Sequence, residues 1–486
     1  MVSSEVAPFS KTGGLGDVAG ALARALGRLG HAVTVVTPRY RGIEVDGHPV
    51  DRLEIVLGGR IHEVELRERA DGPGVRVLFL DHPSFFDREG LYGVGSVDYA
   101  DNGHRFALLS QAALRFAARH APPSVVHAHD WQAGLTAVYL RQGGGDLAPL
   151  ARTPAVFTIH NLAFPGLFAP ATLPAVGIGW EAFTIDGLEY WGHASWLKGG
   201  IIFSDVVTTV SPRYAQEILT PEYGFGFHGI LAARRDRLVG ILNGIDHDVW
   251  DPARDAVLPA TFTARDLKGK RACKAALLET FGLTGPGALD RPLIGMVGRL
   301  TDQKGHDLVA QVAEELIGLD ATFVLIGTGE ARYEEMWTRL AARTPDRVGV
   351  RVGFDEALAH LIEAGADMFL MPSHFEPCGL NQMYSLRYGT VPIVRATGGL
   401  FDTVKDFDPA TGRGTGFTFD AYEPWALMEA LEQALAVFGR KDWWGKLVRA
   451  GMRETHSWDV SAREYVKVYG QAARLRRQSG RSGTRV

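Results

Sequence analysis

The chain has very little cysteine and no run of basic residues in its body. Its 486 residues include only Cys273 and Cys378, which lie far apart in the sequence. This excludes a disulfide framework and a cysteine-rich metal site, and it favours the reducing cytoplasm as the compartment. The formal net charge is -5, and arginine is concentrated only in residues 474–485. We therefore expect no nucleic-acid surface and a frayed basic tail.

The sequence also lacks an apolar segment suited to crossing a membrane. Residues 161–180 carry no charged side chain, yet three prolines and three glycines interrupt them. Such residues would break a spanning helix, so we expect no membrane segment there but a long loop over a substrate cleft. The first residues have neither a basic region nor an apolar run, which predicts no secretory signal.

Two halves with the same pattern predict two α/β domains. The composition is that of a globular protein, with 46% hydrophobic and 22% charged residues. In both halves buried strands alternate with helical patterns, which is typical of a parallel sheet between helices. The predicted strands are 33–37, 75–80, 125–127, 155–160 and 206–210 in the first half, and 293–297, 322–326, 348–352, 368–371 and 391–394 in the second. Residues 243–246 and 252–259 form the predicted hinge.

A glycine-rich motif opens the first long helical pattern. It reads Lys11-Thr12-Gly13-Gly14-Leu15-Gly16-Asp17. A helix N-terminus attracts anions, Gly13 and Gly14 allow close approach of the backbone, and Lys11 adds a cation. The alternatives are a simple strand-to-helix turn and a dinucleotide site, since residues 14–19 fit G-x-G-x-x-A. Thr37-Pro38-Arg39 stands where a ribose-binding acid is expected, which weakens the dinucleotide interpretation.

Two cations follow the first strand of the second half. Arg299 stands at the strand end and Lys304 in the loop before the next helix. A guanidinium and an ammonium placed together at a sheet edge suit a diphosphate. The alternative is two solvated surface cations.

Further polar groups follow other strands of the same half. Glu376 follows strand 368–371 and precedes a helix, so it either binds sugar hydroxyls or caps that helix. Cys378 either lines a sugar site or fills a small buried space. Thr397, Gly398 and Gly399 either offer backbone N–H groups to a phosphate or form a simple turn.

Two histidines near the end of one strand of the first half raise the question of a metal. His127 and His129 are two residues apart and share a face of the predicted strand. No third ligand is evident in the sequence, so we expect no metal site.

Together these motifs closely resemble those of bacterial and plant-type glycogen and starch synthases, which are retaining glucosyltransferases of the GT-B architecture. The resemblance extends over nearly the whole chain, and the matching stretches are residues 4–9, 11–17, 127–132, 158–161, 243–246, 299–305, 375–380 and 397–400. The resemblance implies an α/β fold with two doubly wound Rossmann-like domains that face each other across a deep cleft. The implied domains are 1–243 and 244–457, with a helix over 458–475 that packs back on the first domain and a disordered basic tail over 476–486.

The resemblance also implies roles for the motif residues. The catalytic set is Arg299 and Lys304 on the diphosphate, Glu376 on the glucose, and His160 and Asp130 on the transferred sugar and acceptor side. The donor contacts are Lys11, Gly13, Gly14, Asn243, Cys378, Gly379, Leu380, Thr397, Gly398 and Gly399, with Phe354 stacked on adenine. No metal and no cofactor are implied.

The implied reaction transfers glucose from ADP-glucose to the end of an α-1,4-glucan with retained configuration and release of ADP. Retaining glycosidases use two carboxyl groups about 5 Å apart, and this sequence offers no convincing pair. We therefore expect the leaving phosphate itself to take the acceptor proton. The alternatives are a related transferase with another acceptor and a glucan-binding protein without catalysis.

Two departures from the family pattern stand out. Members begin with a full apolar strand before Ser4-Glu5, whereas only Met1-Val2-Ser3 precede it here. Because that strand is central in its sheet, we expect the first domain to be affected unless the natural start lies upstream. His374 stands where Arg is common, so we expect a modestly weakened contact in the cleft.

Overall fold

A computed structural model describes residues 1–95 and 97–482. The chain forms two compact units. The first comprises Met1–Gly244 together with the C-terminal helix that begins at Trp458, and the second comprises Ile245–Ser457. The chain thus leaves the first unit once and returns to it near its end.

Unit 1 has thirteen strands and nine α-helices in the described part of Met1–Gly244. The strands are β1 (Val33–Pro38), β2 (Asp51–Leu57), β3 (Arg60–Ala70), β4 (Val75–Asp81), β5 (Gly93–Val94), β6 (Val97–Asp98), β7 (Val126–His129), β8 (Ala155–Ile159), β9 (Leu167–Phe168), β10 (Glu189–Tyr190), β11 (His193–Ser195), β12 (Val206–Thr209) and β13 (Leu238–Gly240). The helices are α1 (Gly14–Arg28), α2 (Pro83–Phe86), α3 (Asn102–His120), α4 (Asp130–Ala133), α5 (Leu135–Gln142), α6 (Thr172–Ala175), α7 (Trp196–Phe203), α8 (Pro212–Glu217) and α9 (His228–Ala233).

Val2 lies at the centre of the main sheet of unit 1. One half of that sheet has the order β13-β12-β8-β7 and the other β1-β4-β3-β2. Val2 bridges them in parallel, pairing with Val36 of β1 and Ala128 of β7. Its N–H donates to the His127 carbonyl at 2.8 Å. Val2 therefore supplies the central pairing as a single bridging residue, in the place where the family pattern has a full apolar strand.

The β2–β3 hairpin is antiparallel and was not predicted. β3 pairs antiparallel with both β2 and β4, while β1–β4, β7–β8 and β8–β12 are parallel. Many charged side chains alternate along β3, so it lacks the continuous apolar run of a buried parallel strand. Gly58 and Gly59, both with positive φ, form its turn and were the available signal.

The segment 161–180 is not a free loop. It contains β9 and α6, and Leu173, Val176 and Ile178 are buried. The Tyr139 hydroxyl donates to the Val176 carbonyl at 2.7 Å, which ties the segment to α5. Over the described residues, no helix is long and apolar enough to cross a bilayer.

Unit 2 contains a six-stranded parallel sheet between helices. Its strands are β14 (Leu293–Val297), β15 (Thr322–Gly327), β16 (Val348–Val352), β17 (Met368–Met371), β18 (Val391–Arg395) and β19 (Phe417–Phe419). Its helices are α10 (Lys268–Thr280), α11 (His306–Gln311), α12 (Ala313–Gly318), α13 (Ala331–Arg343), α14 (Glu356–Gly365), α15 (Asn381–Tyr388), α16 (Gly398–Thr403), α17 (Pro424–Gly439) and α18 (Lys441–Gly451). Parallel sheets packed between helices confirm the predicted α/β class.

The strand order of unit 2 has a switch point. The order is β16-β15-β14-β17-β18-β19, so the chain builds outward from β14 in one direction and then from β17 in the other. Loops that follow two neighbouring strands of this kind diverge and leave a crevice at the carboxyl edge, where ligands bind in open α/β sheets.

The last helix, α19 (Trp458–Ser482), packs on unit 1. Its Tyr469 hydroxyl lies 3.0 Å from His127 Nδ1, and Asp459 pairs with Arg28 at 2.9 Å. The predicted disordered tail from residue 476 is wrong for residues 476–482, which continue the helix. Arg476 donates to the Ala151 carbonyl at 2.7 Å, and arginine and glutamine are good helix formers. The rest of the predicted tail, 483–486, lies outside the described residues.

Trp250 fixes the segment that enters unit 2. Its ring stacks between His360 and Tyr384, with both centroid distances 3.7 Å. Five residues later, Asp255 bonds His360 Nδ1 at 2.7 Å and accepts from the Tyr388 hydroxyl at 2.5 Å. The segment therefore belongs to the core of unit 2.

We predict that Trp250→Ala destabilises unit 2 strongly. Removing a buried, doubly stacked indole leaves a cavity and costs about 3–5 kcal/mol. Trp425→Ala is the matched control, because Trp425 is 63% exposed, and it should change stability by less than about 0.5 kcal/mol. Urea unfolding of both variants measures this. Equal unfolding midpoints for the two variants would contradict the assigned packing.

Candidate active site

The switch point of unit 2 brings together the two cations and the carboxylate predicted from the sequence. Arg299 follows β14 and Glu376 follows β17, and these strands are neighbours. Lys304 Nζ lies 2.6 Å from Glu376 Oε2. The Lys304 side chain is 25% exposed and that of Glu376 only 7%. Lys304 is therefore not a solvated surface cation.

A glycine allows the Lys304 loop to approach the segment after β17. Gly305 has a φ of +81°, and a Cβ there would lie 2.0 Å from the Pro372 carbonyl oxygen. Gln303 joins the same contact, because its carbonyl accepts from the His374 N–H at 3.0 Å. Its side chain accepts from Arg299 Nη2 at 3.1 Å, so the exposed guanidinium also has a fixed partner.

The structure shows what the Glu376 side chain contacts. Helix α15 begins after Leu380 without a side-chain capping hydrogen bond, so Glu376 makes no capping hydrogen bond to it. The Glu376 carboxylate instead accepts from Ser373 Oγ at 3.1 Å, on the oxygen that also faces Lys304. The carboxylate thus holds the ammonium in place at the switch point.

The glycine pair after β18 packs against the Glu376 segment. A Cβ atom at Gly398 would lie 1.9 Å from the backbone carbonyl oxygen of Glu376, and one at Gly399 would lie 2.0 Å from that of Cys378. The Gly399 N–H donates to the Glu376 carbonyl at 3.1 Å. This corrects one expectation: the Gly399 N–H is not available to a phosphate, because it joins the two loops. Thr397, which precedes the glycine pair, and Cys378 are both buried. Gly379 and Leu380, which follow Cys378, are half-buried.

Phe354 and His374, both named from the resemblance, lie at the surface of unit 2. Phe354 follows β16 and is 82% exposed, so both faces of its ring are accessible to a ligand. His374, the departure from the family pattern, stacks on Tyr422 with a centroid distance of 4.5 Å. Its side chain therefore packs on the surface of unit 2.

In unit 1 the Lys11 motif forms the start of α1, as predicted. Helix α1 begins at Gly14, and a Cβ at Gly13 would meet no atom within 4 Å. The fold therefore does not itself require glycine there, in contrast to Gly398. Lys11 Nζ pairs with Asp17 at 2.9 Å.

A buried acid that was given no role from the sequence fixes this motif. Glu5 is 3% exposed, and its carboxylate accepts from the Thr12 N–H at 2.6 Å and the Thr12 hydroxyl at 2.7 Å. It also accepts from the Tyr92 hydroxyl. Burial raises the pKa of Glu5, and these three donors oppose the shift. The only signal in the sequence was its position in the Ser4–Phe9 stretch.

Asp130 and His160 lie together at the carboxyl ends of β7 and β8. The His160 N–H donates to Asp130 Oδ1 at 2.7 Å, and burial raises the pKa of Asp130 to about 7. Asp130 has a φ of +55°, a conformation that strains a residue with a side chain. Burial also lowers the pKa of His160 to about 3, so its imidazole is neutral at pH 7.

The neighbouring histidines belong to a structural network. His129 Nδ1 lies 3.0 Å from His160 Nε2, and His127 Nε2 lies 2.6 Å from the Thr158 hydroxyl. Among the residues that the structure describes, no group of three His, Cys, Asp or Glu side chains can hold a metal ion. Asn243, at the end of unit 1, is 5% exposed, and its side-chain oxygen has no hydrogen-bond partner.

Comparisons with known proteins agree with this arrangement. The family model "Starch synthase catalytic domain" matches residues 1–233, and "Glycosyl transferases group 1" matches residues 286–438. Glycogen synthase of Anaeromyxobacter dehalogenans (strain 2CP-C) is 52% identical over 470 residues, which is 96% of this chain and 98% of that protein. Glycogen synthase of Myxococcus xanthus (strain DK1622) is 48% identical over 485 residues, with 96% and 98% covered.

Solved structures give the same result. The catalytic domain of starch synthase IV from Arabidopsis thaliana, bound to ADP and acarbose, matches with a TM-score of 0.89 and 35% identity over 97% of this chain and 98% of that one. Sucrose-phosphate synthase from Thermosynechococcus elongatus matches with a TM-score of 0.58 at 17% identity and so shares the fold.

Two α/β units, one with a parallel sheet and one with a largely parallel sheet, together with the similarity to starch synthase IV, define a glycosyltransferase of the GT-B fold. Within that class, the chain belongs to the glycogen and starch synthase family. The resemblance drawn from the motifs is therefore confirmed, and the dinucleotide interpretation of the Lys11 motif is dropped. The roles of the individual site residues stay predictions.

We predict that Asp130→Asn stabilises the protein at pH 8 but not at pH 4. An Asp has an ordinary pKa near about 3.9 in the unfolded chain but about 7 in the fold. The folded state therefore binds more protons in this window, and stability falls as the pH rises from about 4 to 7. Asparagine carries no charge, tolerates the positive φ and keeps an acceptor for the His160 N–H.

Thermal unfolding of both proteins from pH 4 to pH 8 measures this. Asp236→Asn is the control, since its carboxylate is 74% exposed, and its effect should not follow the same pH window. A stability difference for Asp130→Asn that does not grow with pH would show that the Asp130 carboxyl ionises normally.

Proposed function

We propose that the protein transfers glucose from ADP-glucose to the non-reducing end of an α-1,4-glucan and releases ADP. The observation that carries this is the Lys304–Glu376 pair at the switch point, with Arg299 on the same loop as Lys304. The full-length similarity to glycogen synthases supports the substrates. The two buried cysteines are not joined in a disulfide, which supports a cytoplasmic location.

The diphosphate is assigned to Arg299 and Lys304. An ammonium has three N–H donors, and Glu376 uses one of those on Lys304. The others are proposed to face the phosphate oxygens, while the Arg299 guanidinium adds a planar fork. As the bond between the sugar and the phosphate breaks, both cations stabilise the charge that develops on the leaving group.

The glucose is assigned to Glu376 and the segment Cys378–Leu380. The carboxylate accepts from sugar hydroxyls, and backbone N–H groups next to the start of α15 add donors. In unit 1, neutral His160 and Asp130 are assigned to the transferred sugar and the acceptor. A neutral imidazole donates to or accepts from a hydroxyl without adding a positive charge beside the sugar carbon.

We propose a front-face displacement that retains configuration. The acceptor 4-hydroxyl oxygen bonds to the sugar C1 as the bond from C1 to the β-phosphate oxygen breaks. The released phosphate oxygen takes the hydroxyl proton on the same face. ADP therefore leaves protonated by the acceptor, and no carboxylate nucleophile is required.

The rival within the same fold is a transferase with a different acceptor. Release of ADP from ADP-glucose and of UDP from UDP-glucose, each measured with and without glycogen, distinguishes the two. Release from ADP-glucose that depends on glycogen supports the proposal. Turnover that ignores glycogen would assign another acceptor.

We predict that Arg299→Ala and Lys304→Ala each lower kcat by roughly 100- to 1000-fold, because each removes a charge that stabilises the leaving group. Lys441→Ala, which removes a lysine that lies over the Phe438 ring, is the control and should leave kcat unchanged. ADP release at saturating substrates measures this. Arg299→Ala is the sharper variant, because Lys304→Ala also leaves the buried Glu376 without its cation.

We predict that Phe354→Ala raises the KM for ADP-glucose and leaves kcat nearly unchanged. Stacking of a base on an aromatic ring contributes about 1–3 kcal/mol, which corresponds to roughly 5- to 150-fold in affinity. Phe354→Tyr should keep the low KM. An unchanged KM in Phe354→Ala would remove this ring from the adenine site.

A further inference from the structure

A tryptophan is displayed at the turn of the β10–β11 hairpin in unit 1. Trp191 joins the two strands and is 78% exposed, with a φ of +50°. Within residues 1–95 and 97–482, the non-glycine residues with positive φ are Asp130, Trp191 and Phe225. Asp130 belongs to the candidate active site, whereas Trp191 and Phe225 both lie at this turn.

The second strained segment lies against the turn. Phe225 has a φ of +46° and is followed by Gly226 at +82°. A Cβ at Gly226 would lie 2.7 Å from the Tyr190 hydroxyl oxygen and 3.0 Å from Trp191 Nε1. Only glycine therefore fits beneath the two aromatic side chains.

Hydrogen bonds hold the indole in place. Trp191 bonds the Tyr190 hydroxyl through its side chain, and that hydroxyl donates to the Phe225 carbonyl. The Tyr190 ring stacks on Phe227 with a centroid distance of 4.3 Å and an angle of 10°. The Gly192 N–H donates to the Glu189 carboxylate at 2.8 Å and closes the turn. The indole is thus ordered although most of its surface faces solvent.

Exposing a large apolar ring on a strained backbone does not help folding. Strain that the surrounding structure maintains is found mainly at ligand-binding and catalytic positions. A rigid indole with its N–H satisfied within the protein offers a flat apolar face, and such faces pack against the C–H surface of a sugar ring. Exposed His193 beside it adds a partner for hydroxyl groups.

We propose that Trp191 is a binding platform for glucose units of the α-1,4-glucan acceptor. This rests on the proposed function, since a polymeric acceptor extends well beyond the glucose that reacts. A second contact along the same polymer raises the effective concentration of chain ends at the active site. A short acceptor gains nothing from this platform, because it cannot occupy both places.

The variant Trp191→Gly separates a binding role from a structural one. Glycine adopts positive φ without strain, so the thermal midpoint should stay equal to that of the parent or rise. Retardation in native gels that contain glycogen should weaken. We expect the Kd and the KM for glycogen to rise about tenfold, by analogy with the range known for a nucleic-acid base stacked on one aromatic ring. The KM for ADP-glucose and the turnover of a short maltooligosaccharide should not change.

Two further variants complete the test. Trp425→Ala removes an exposed tryptophan that lacks a strained backbone and should leave glycogen binding unchanged, while Trp191→Phe should lie between parent and Trp191→Gly. Parent-like retardation of Trp191→Gly, or a lowered thermal midpoint, would overturn the proposal. So would a change of oligomeric state in light scattering, which would make Trp191 an interface residue. If the parent protein binds glycogen but releases no ADP from ADP-glucose, and Trp191→Gly no longer binds glycogen, the platform is supported and the proposed transferase function is rejected.

Discussion

The ion pair between Lys304 and Glu376 is the interaction on which the candidate site depends. Both groups lie in loops at the switch point of one parallel sheet, and the carboxylate is largely buried. Removing two charges from water costs several kcal/mol, so a pair of this kind adds little to stability. Its effect is to fix an ammonium where two strands diverge. The loop geometry at Gly305 and Gly398 follows from the same requirement, because a side chain at either position would separate the loops.

Unit 1 contains the corresponding constraint in another form. Asp130 has a left-handed backbone, and its burial raises its pKa. Neither feature stabilises the fold. The backbone conformation places the Asp130 carboxyl group beside the neutral imidazole of His160, and the raised pKa favours its protonated form. Glu5 shows how the fold supports such a site, because its buried carboxylate holds Thr12 and thereby the start of α1. The left-handed backbone of Asp130 and the burial of Glu5 thus both lie near groups that are proposed to bind substrate.

The sequence allowed the strands and the residues at their ends to be predicted, since parallel strands are continuous apolar runs and active-site residues follow them. Arg299, Lys304 and Glu376 were found in this way. The Glu5–Thr12 contact was not, because nothing in the sequence shows which acid folds back on a loop. The role of Gly399 was also missed: a glycine that admits a phosphate and one that admits another loop look the same in a sequence. Trp191 gave no signal, since exposure and positive φ are properties of the fold.

Each cation proposed for phosphate has a partner within its own unit: Lys11 has Asp17, Arg299 has Gln303, and Lys304 has Glu376. A cation paired with a carboxylate, as Lys11 and Lys304 are, attracts a bound diphosphate less strongly than a free one, because the negative charge cancels part of its field. The same partner holds the cation in place, so it need not reorganise as charge grows on the leaving phosphate. Interactions that strengthen only as the bond breaks raise kcat, whereas those already present in the ground state mainly lower KM. The pairing therefore favours turnover over tight binding of the donor.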